Sequence, residues 1–140
     1  AGYEKTAHRA GTGYCYEERG GEFITPGTIN ILVFTNKALT DSAMVKAIMT
    51  ITEAKTAALQ DWGAESVKLY PFMNEDIPDA LIKERNTTAT GTSTDGVILT
   101  IDTNGDVLTD AGTFSLFGDT LAKAVYVGVQ RALENAIDAE

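Results

Sequence analysis

The sequence predicts a single α/β domain, with α+β as the neighbouring class, in which a mixed sheet containing a hairpin carries two long helices. Residues 42–62 and 118–138 repeat their apolar side chains with helical spacing, which indicates two amphipathic helices. Residues 28–34 and 96–102 are short runs rich in β-branched residues, which indicates strands. A length of 140 residues suits one domain.

The first strand, residues 28–34 (TINILVF), follows the turn signal Pro26-Gly27 and has so few polar residues that an interior position is expected. The helix after it should be capped by Thr40 or Asp41, whose side chains accept hydrogen bonds from the first free N–H groups. This helix should end at Gly63, because glycine adopts a left-handed cap most easily.

The first helix has apolar residues around much of its circumference. Met44, Ile48 and Ile51 are expected on its apolar face, whereas Thr50 and Glu53 are expected on a polar face. We therefore expect one side of the helix to pack on the sheet and a second side to meet more protein.

In the second half of the chain, the secondary-structure signals are weak up to about residue 88 and strong after it. A strand at residues 67–70 and a short helix at 79–84 are followed by the strand at 96–102. Asn104-Gly105 then predicts a hairpin with a returning strand at 107–109, because a type I′ turn needs positive φ at both central positions. The last helix has an apolar stripe formed by Ala122, Val125, Val129, Leu133, Ala136 and Ile137.

The composition excludes several classes of function. A net charge of −9, from 20 acidic and 11 basic residues, is unsuited to binding nucleic acid. No apolar run approaches the roughly 20 residues that cross a bilayer, and no leader pattern is found, so we expect no membrane partner and a cytoplasmic location. The single Cys15 and the single His8 exclude a Cys-based or His-rich metal site, and leave a triad built on His8 as an alternative.

Three segments carry more small polar residues than packing requires. In residues 50–56 (TITEAKT), Glu53 and Lys55 are two apart on a helix, so they point to different faces and at least one should contact another element or a ligand. Residues 87–96 (TTATGTSTDG) form a hydroxyl-rich loop ending in Asp95, a general base or orienting acid. Its alternative interpretation is a Ser/Thr-rich turn that satisfies its own backbone.

The third segment, residues 111–118 (AGTFSLFG), precedes the last helix, where free N–H groups attract anions and carbonyl oxygens. Its structural alternative is a cap with a hydrophobic staple. From the first two segments we predict that Glu53, Lys55 and Asp95 converge within about 10 Å, a span that one small substrate group can bridge.

Together these segments resemble one family. Residues 26–31 (PGTINI), 52–59 (TEAKTAAL), 90–95 (TGTSTD) and 111–113 (AGT) are similar, in this order and with compatible spacing, to the motifs of adenosylcobinamide amidohydrolases. The resemblance implies one amidohydrolase-like domain over residues 1–140. Family domains have more sequence before the first matched motif, so we expect an N-terminal portion of the family domain to be missing here.

The resemblance implies hydrolysis of the amide between a cobyric acid side chain and aminopropanol. Asp95 or Glu53 is then expected as the base and Lys55 as a charge stabiliser or proton donor, with Thr92 or Thr94 as an alternative nucleophile. The residues expected to bind substrate are Thr28, Asn30, Gly91, Ser93 and Thr113.

The corrinoid is expected as a substrate and not as a cofactor, and no cofactor is predicted; the sequence leaves the metal requirement open. A dimer interface would supply the wide cleft that a corrinoid needs, so a homo-oligomer is a further expectation. Two other functions stay open. One is a non-catalytic module that binds a corrinoid or another metabolite, and the other is a structural oligomerisation domain.

Overall fold

A computed structural model describes residues 7–11, 28–66, 88–92 and 94–137. Two long helices and four strands in the described residues confirm the α/β class. The strand expected at residues 67–70 and the helix expected at 79–84 lie outside the described residues. The elements are β1 (Asn30–Phe34), β2 (Ala38–Leu39), α1 (Asp41–Trp62), β3 (Gly96–Thr100), β4 (Val107–Leu108) and α2 (Leu116–Ile137).

The described strands form two parallel pairs. β1 pairs with β3, so that Asn30 lies opposite Gly96, and β2 pairs with β4. Parallel neighbours need a crossover connection, and α1 lies in the chain between β1 and β3. Antiparallel pairing within the described residues is confined to two single bridges, His8 with Gly91 and Glu65 with Thr88.

The prediction of a hairpin at Asn104-Gly105 is wrong. The pair does lie in a turn, in which the N–H of Gly105 donates to the carbonyl of Asp102 at 3.0 Å. However, the strands on either side pair with different partners, β3 with β1 and β4 with β2. Gly105 also lacks the positive φ of a type I′ turn. Glycine is needed here for close approach instead, since a Cβ at this position would lie 2.2 Å from the carbonyl oxygen of Asn36.

Burial along β1 alternates, which differs from the interior strand that was expected. Ile31 and Val33 pack against the core, whereas Leu32 is 58% exposed and Phe34 is 75% exposed. The sequence run is apolar on both faces, but within the described residues the core lies against one face of the strand.

The two ends of α1 confirm the expected caps. The side chain of Thr40 accepts a hydrogen bond from the backbone N–H of Ala43, which satisfies a free donor of the first turn. At the other end Gly63 has a φ of 74°, and its N–H donates to the carbonyl of Gln60. The alternative cap, Asp41, becomes the first helical residue.

The buried face of α1 differs from the expected one. Thr50, which was assigned to a polar face, is 1% exposed, whereas Ile48 and Met49 are exposed. The prediction gave most weight to bulky apolar side chains, but the contact with α2 favours small ones that let two helix backbones approach. The buried face of α1 is Ala43, Ala47, Thr50, Ile51, Ala54, Lys55, Ala58 and Leu59, and α2 contributes Leu121, Val125, Val129 and Leu133 to the core.

Replacing Thr50 by valine is expected to lower the free energy of unfolding by about 1–3 kcal/mol. The Thr50 hydroxyl donates to the carbonyl of buried Ala111 at 2.7 Å, and valine would leave that carbonyl without this donor. Thr52→Val is the matched control, because exposed Thr52 donates to the carbonyl of Ile48 within its own helix. Urea unfolding of both variants measures the difference, and equal losses would contradict the role of the Ala111 contact.

Candidate functional site

A buried ion pair joins α1 to the loop before β3. The Nζ atom of Lys55 contacts Oδ2 of Asp95, and the two side chains are 10% and 16% exposed. This contact confirms that one charged residue of the segment 50–56 reaches another element. It also brings two of the three residues that were predicted to converge into direct contact.

The carboxylate of Asp95 is the hub of this cluster. Its Oδ1 accepts hydrogen bonds from the Thr92 hydroxyl at 2.5 Å and from the backbone N–H of Ile29 at 3.3 Å. Its Oδ2 accepts from the backbone N–H of Thr92 at 3.1 Å and from Lys55. These four donors fill the roughly four acceptor positions of a carboxylate. Asp95 therefore fixes Thr92 and Lys55 relative to the start of β1, and we call Lys55, Thr92 and Asp95 the site cluster.

The loop that carries Thr92 is held from several sides. The Thr56 hydroxyl of α1 donates to the carbonyl of Thr90 at 3.1 Å, and the N–H of Ala89 donates to the carbonyl of Ala64 at 2.7 Å. The chain near His8 forms a bridge to Gly91 on the same loop. Residues 88–92 of the hydroxyl-rich loop are thus a fixed part of the fold, and the loop contacts other elements besides its own backbone.

Gly91 permits the close contact between the loop and the ion pair. A Cβ at this position would lie 2.6 Å from Oδ2 of Asp95 and 2.9 Å from Nζ of Lys55. Real Cβ atoms essentially never approach other heavy atoms this closely, so a side chain at position 91 would displace one member of the pair.

Gly91→Ala is expected to destabilise the fold by about 1–3 kcal/mol, the usual cost of overpacking a filled site. Gly128→Ala is the matched control, because its Cβ would meet no atom within 4 Å inside α2. That variant should gain about 0.5–1 kcal/mol from the higher helix propensity of alanine. Thermal unfolding gives both values, and stabilisation by Gly91→Ala would show that position 91 has room for a side chain.

Three further predicted residues, Thr28, Asn30 and Thr94, lie beside the site cluster. The Thr28 hydroxyl donates to the carbonyl of Thr94 at 2.5 Å, and this hydrogen bond joins the residues just before β1 to the loop. Thr94 and Asn30 are exposed, whereas Thr92 is 6% exposed. Ser93 lies outside the described residues.

Glu53 and Thr113 lie on a different surface from the site cluster. Both are exposed and line a groove of about 280 Å³ between α1 and α2, together with Tyr126. The Tyr126 hydroxyl donates to Oδ2 of Asp61 at 2.8 Å, and this hydrogen bond raises the pKa of Tyr126 above its ordinary value. Glu53 therefore lines this groove and is not part of the Lys55–Asp95 pair, so of the three residues predicted to converge the structure joins two. Helix positions two residues apart point to different faces.

A larger cleft was missed by the sequence analysis. It has a volume of about 680 Å³, and β1 and α2 line it. It begins at Thr28 and Ile29, the two residues that hydrogen-bond to the loop of the site cluster. The sequence does carry a signal for it, since small residues recur every four positions on the cleft side of α2, at Ala124, Gly128 and Ala132.

Within the ranges that the structure describes, no three His, Cys, Asp or Glu side chains come together to hold a metal ion. No helix in the described part of the chain combines the length and the apolar character needed to cross a membrane.

Comparison with known proteins places these motifs in one family. The family model for adenosylcobinamide amidohydrolase matches residues 1–70 and 75–140. An uncharacterized protein of Methanocaldococcus jannaschii, MJ1613, is 38% identical over 107 residues, which are 76% of this chain and 36% of that protein. The adenosylcobinamide amidohydrolase of Methanosarcina mazei is 31% identical over 134 residues, 89% of this chain and 54% of that protein.

The chain therefore spans about a third and about half of the lengths of these two relatives. No solved structure matches the chain.

Proposed function

The chain belongs to the adenosylcobinamide amidohydrolase family, and from this premise we propose that it hydrolyses the amide between the cobyric acid side chain and aminopropanol in adenosylcobinamide. The observation that carries the proposal is the site cluster, in which a hydroxyl, a carboxylate and an ammonium group are in contact. These are the groups that acyl transfer requires, namely a nucleophile, a base and a positive charge near the developing oxyanion.

Thr92 is the proposed nucleophile. Its hydroxyl donates to Asp95, so the group that would accept its proton is already in hydrogen-bond contact, and Lys55 orients that base from the other oxygen. A water molecule would find the acceptor positions of Asp95 filled by protein donors. Asp95 therefore acts on Thr92 and not on a free water molecule.

The proposed reaction has two stages. The Thr92 hydroxyl oxygen bonds to the amide carbon and its proton passes to Asp95, after which the C–N bond breaks and aminopropanol leaves with a proton from an acid in the site. Water then attacks the resulting ester of Thr92 and releases the cobyric acid, while Asp95 returns its proton to the Thr92 oxygen. The ammonium group of Lys55 stabilises negative charge at the carbonyl oxygen.

The cleft between β1 and α2 is proposed as the place where the corrin ring binds. Its volume of about 680 Å³ lies within the range of ligand pockets, and its walls are mostly apolar side chains. The cleft starts next to the loop of the site cluster. A flat apolar macrocycle in the cleft would direct one of its amide side chains towards Thr92.

The reaction is tested by incubating the protein with adenosylcobinamide and measuring cobyric acid and aminopropanol by mass spectrometry. Release of both products in equal amounts is the expected result, and Thr92→Val should release neither at a comparable rate. A shift in corrinoid absorbance without products would favour the non-catalytic binding module instead. The absence of both signals would favour the structural oligomerisation domain.

A further inference from the structure

The single histidine of the chain lies beside the site cluster, and the proposed reaction does not yet use it. The N–H of His8 donates to the carbonyl of Gly91 at 2.9 Å, and the N–H of Gly91 donates back to the carbonyl of His8 at 3.3 Å. The two residues are thus a directly opposed antiparallel pair that exchanges both hydrogen bonds.

This pairing determines the face on which the His8 side chain begins. The Cβ positions of an opposed antiparallel pair lie on the same side, about 5 Å apart. The Cβ direction of Gly91 points at the ion pair, since a Cβ there would meet Asp95 and Lys55 within 3 Å. The His8 side chain therefore begins on the face that carries the site cluster.

The Lys55–Asp95 pair lies directly against Gly91 on this face. A Cβ at position 91 would lie 2.6 Å from Oδ2 of Asp95 and 2.9 Å from Nζ of Lys55, so these two atoms occupy the place that a side chain there would take. Segment 7–10 is also fixed against the loop, because the N–H of Ala10 donates to the Thr90 hydroxyl at 2.9 Å. The backbone of the half-buried His8 is thus held at one position relative to the loop that carries Thr92.

We infer that His8 is a catalytic residue that protonates the leaving amine, an inference that rests on the proposed amide hydrolysis. Imidazole is the side chain best suited to donating and accepting a proton near neutral pH. Lys55 is less suited to this step, because its ammonium group is nearly buried and held by Asp95.

With His8 in this role, every proton in the two stages of the reaction is accounted for. When the C–N bond breaks, its electron pair stays on nitrogen and His8, as imidazolium, supplies the proton of the leaving aminopropanol. The neutral His8 then takes a proton from the water that attacks the ester of Thr92. Asp95 returns the first proton to Thr92, so the net change is one amide and one water converted to one acid and one amine.

The test compares two leaving groups in His8→Gln. Hydrolysis of the natural amide should slow by about 100-fold or more, the usual scale for loss of a general acid. Release of phenol from the phenyl ester of cobyric acid, measured in the first turnover, should change little, because phenolate leaves without a proton. Ala10→Gln is the matched control on the same segment, since Ala10 is exposed and bonds through its backbone. It should slow neither reaction.

A purely structural role for His8 would slow both reactions to the same extent, and that result would overturn the inference while the proposed function stood. Failure of the parent protein to hydrolyse the amide would remove the proposed function, and the role of His8 with it. The position of the His8 imidazole ring is tested separately by nuclear Overhauser contacts between its protons and the side chains of Lys55 or Thr92. Their absence in the folded parent would overturn the inference whatever the activity.

Discussion

Lys55→Met is expected to lower the free energy of unfolding by about 3 kcal/mol or more, because it leaves a nearly buried carboxylate without its cation. The Asp95 side chain is 16% exposed, so water cannot replace the lost ammonium group fully. Urea unfolding measures the loss, provided that the dependence of the unfolding free energy on urea concentration is the same in the variant and in the parent. The same variant should also lose amide hydrolysis, since Lys55 orients the base and stabilises the oxyanion.

Lys123→Met provides the matched control for this prediction. Lys123 pairs with Asp119 at 2.6 Å along α2, but the two side chains are 73% and 47% exposed. Exposed pairs of this spacing contribute about 0.3–0.5 kcal/mol, so the control should be nearly as stable as the parent. A Lys55→Met variant that loses no more stability than Lys123→Met would contradict the assignment of Lys55 to a buried, stabilising pair.

Elements fixed by local signals were predicted well from the sequence. The helix from Asp41 to Trp62 has a capping threonine before it and a glycine with positive φ after it, and both signals act within a few residues. The strand runs around Asn30–Phe34 and Gly96–Thr100 were likewise recognisable from their β-branched residues. These features depend on residues that are close together in the sequence, so they can be predicted without knowledge of the tertiary fold.

Pairing partners and buried faces depend on the tertiary fold and were not predicted. Asn104-Gly105 has the composition of a hairpin turn, but β3 and β4 find their partners in β1 and β2. The alanines of α1 carry little hydrophobic signal, yet their small size lets α2 approach and buries Thr50 with them. In both cases a distant segment decides the outcome.

The candidate site was predicted in part for the same reason. Helical spacing showed that Glu53 and Lys55 could not share a face, and the loop composition singled out Thr92 and Asp95. Spacing could not show which of the two charges faces the loop, because that depends on the rotation of α1 about its axis. The packing of α1 against α2 sets this rotation and turns Lys55 inward.

Thr92→Val is expected to lower turnover of adenosylcobinamide by about 10⁴-fold or more, the scale for loss of a nucleophile. Asp95→Asn should cost about 100-fold or more, because asparagine cannot take the proton of Thr92. Thr92→Ser is the control that keeps a hydroxyl at the same position, and it should retain much of the activity. Thr94→Val should change little, because Thr94 is exposed and the proposed nucleophile is Thr92.

The order of these losses separates three mechanisms. If Asp95 activated water and Thr92 only supplied a hydrogen bond, Thr92→Val would lose about 1 kcal/mol, or roughly fivefold, while Asp95→Asn would remain severely impaired. If Thr94 were the nucleophile, Thr94→Val would be inactive and Thr92→Val would not. A covalent corrinoid adduct on Thr92, trapped by acid quench and located by peptide mass spectrometry, would support the proposed order directly. Full activity of folded Thr92→Val would exclude Thr92 as the nucleophile, and the activities of Thr94→Val and Asp95→Asn would then decide between the other two mechanisms.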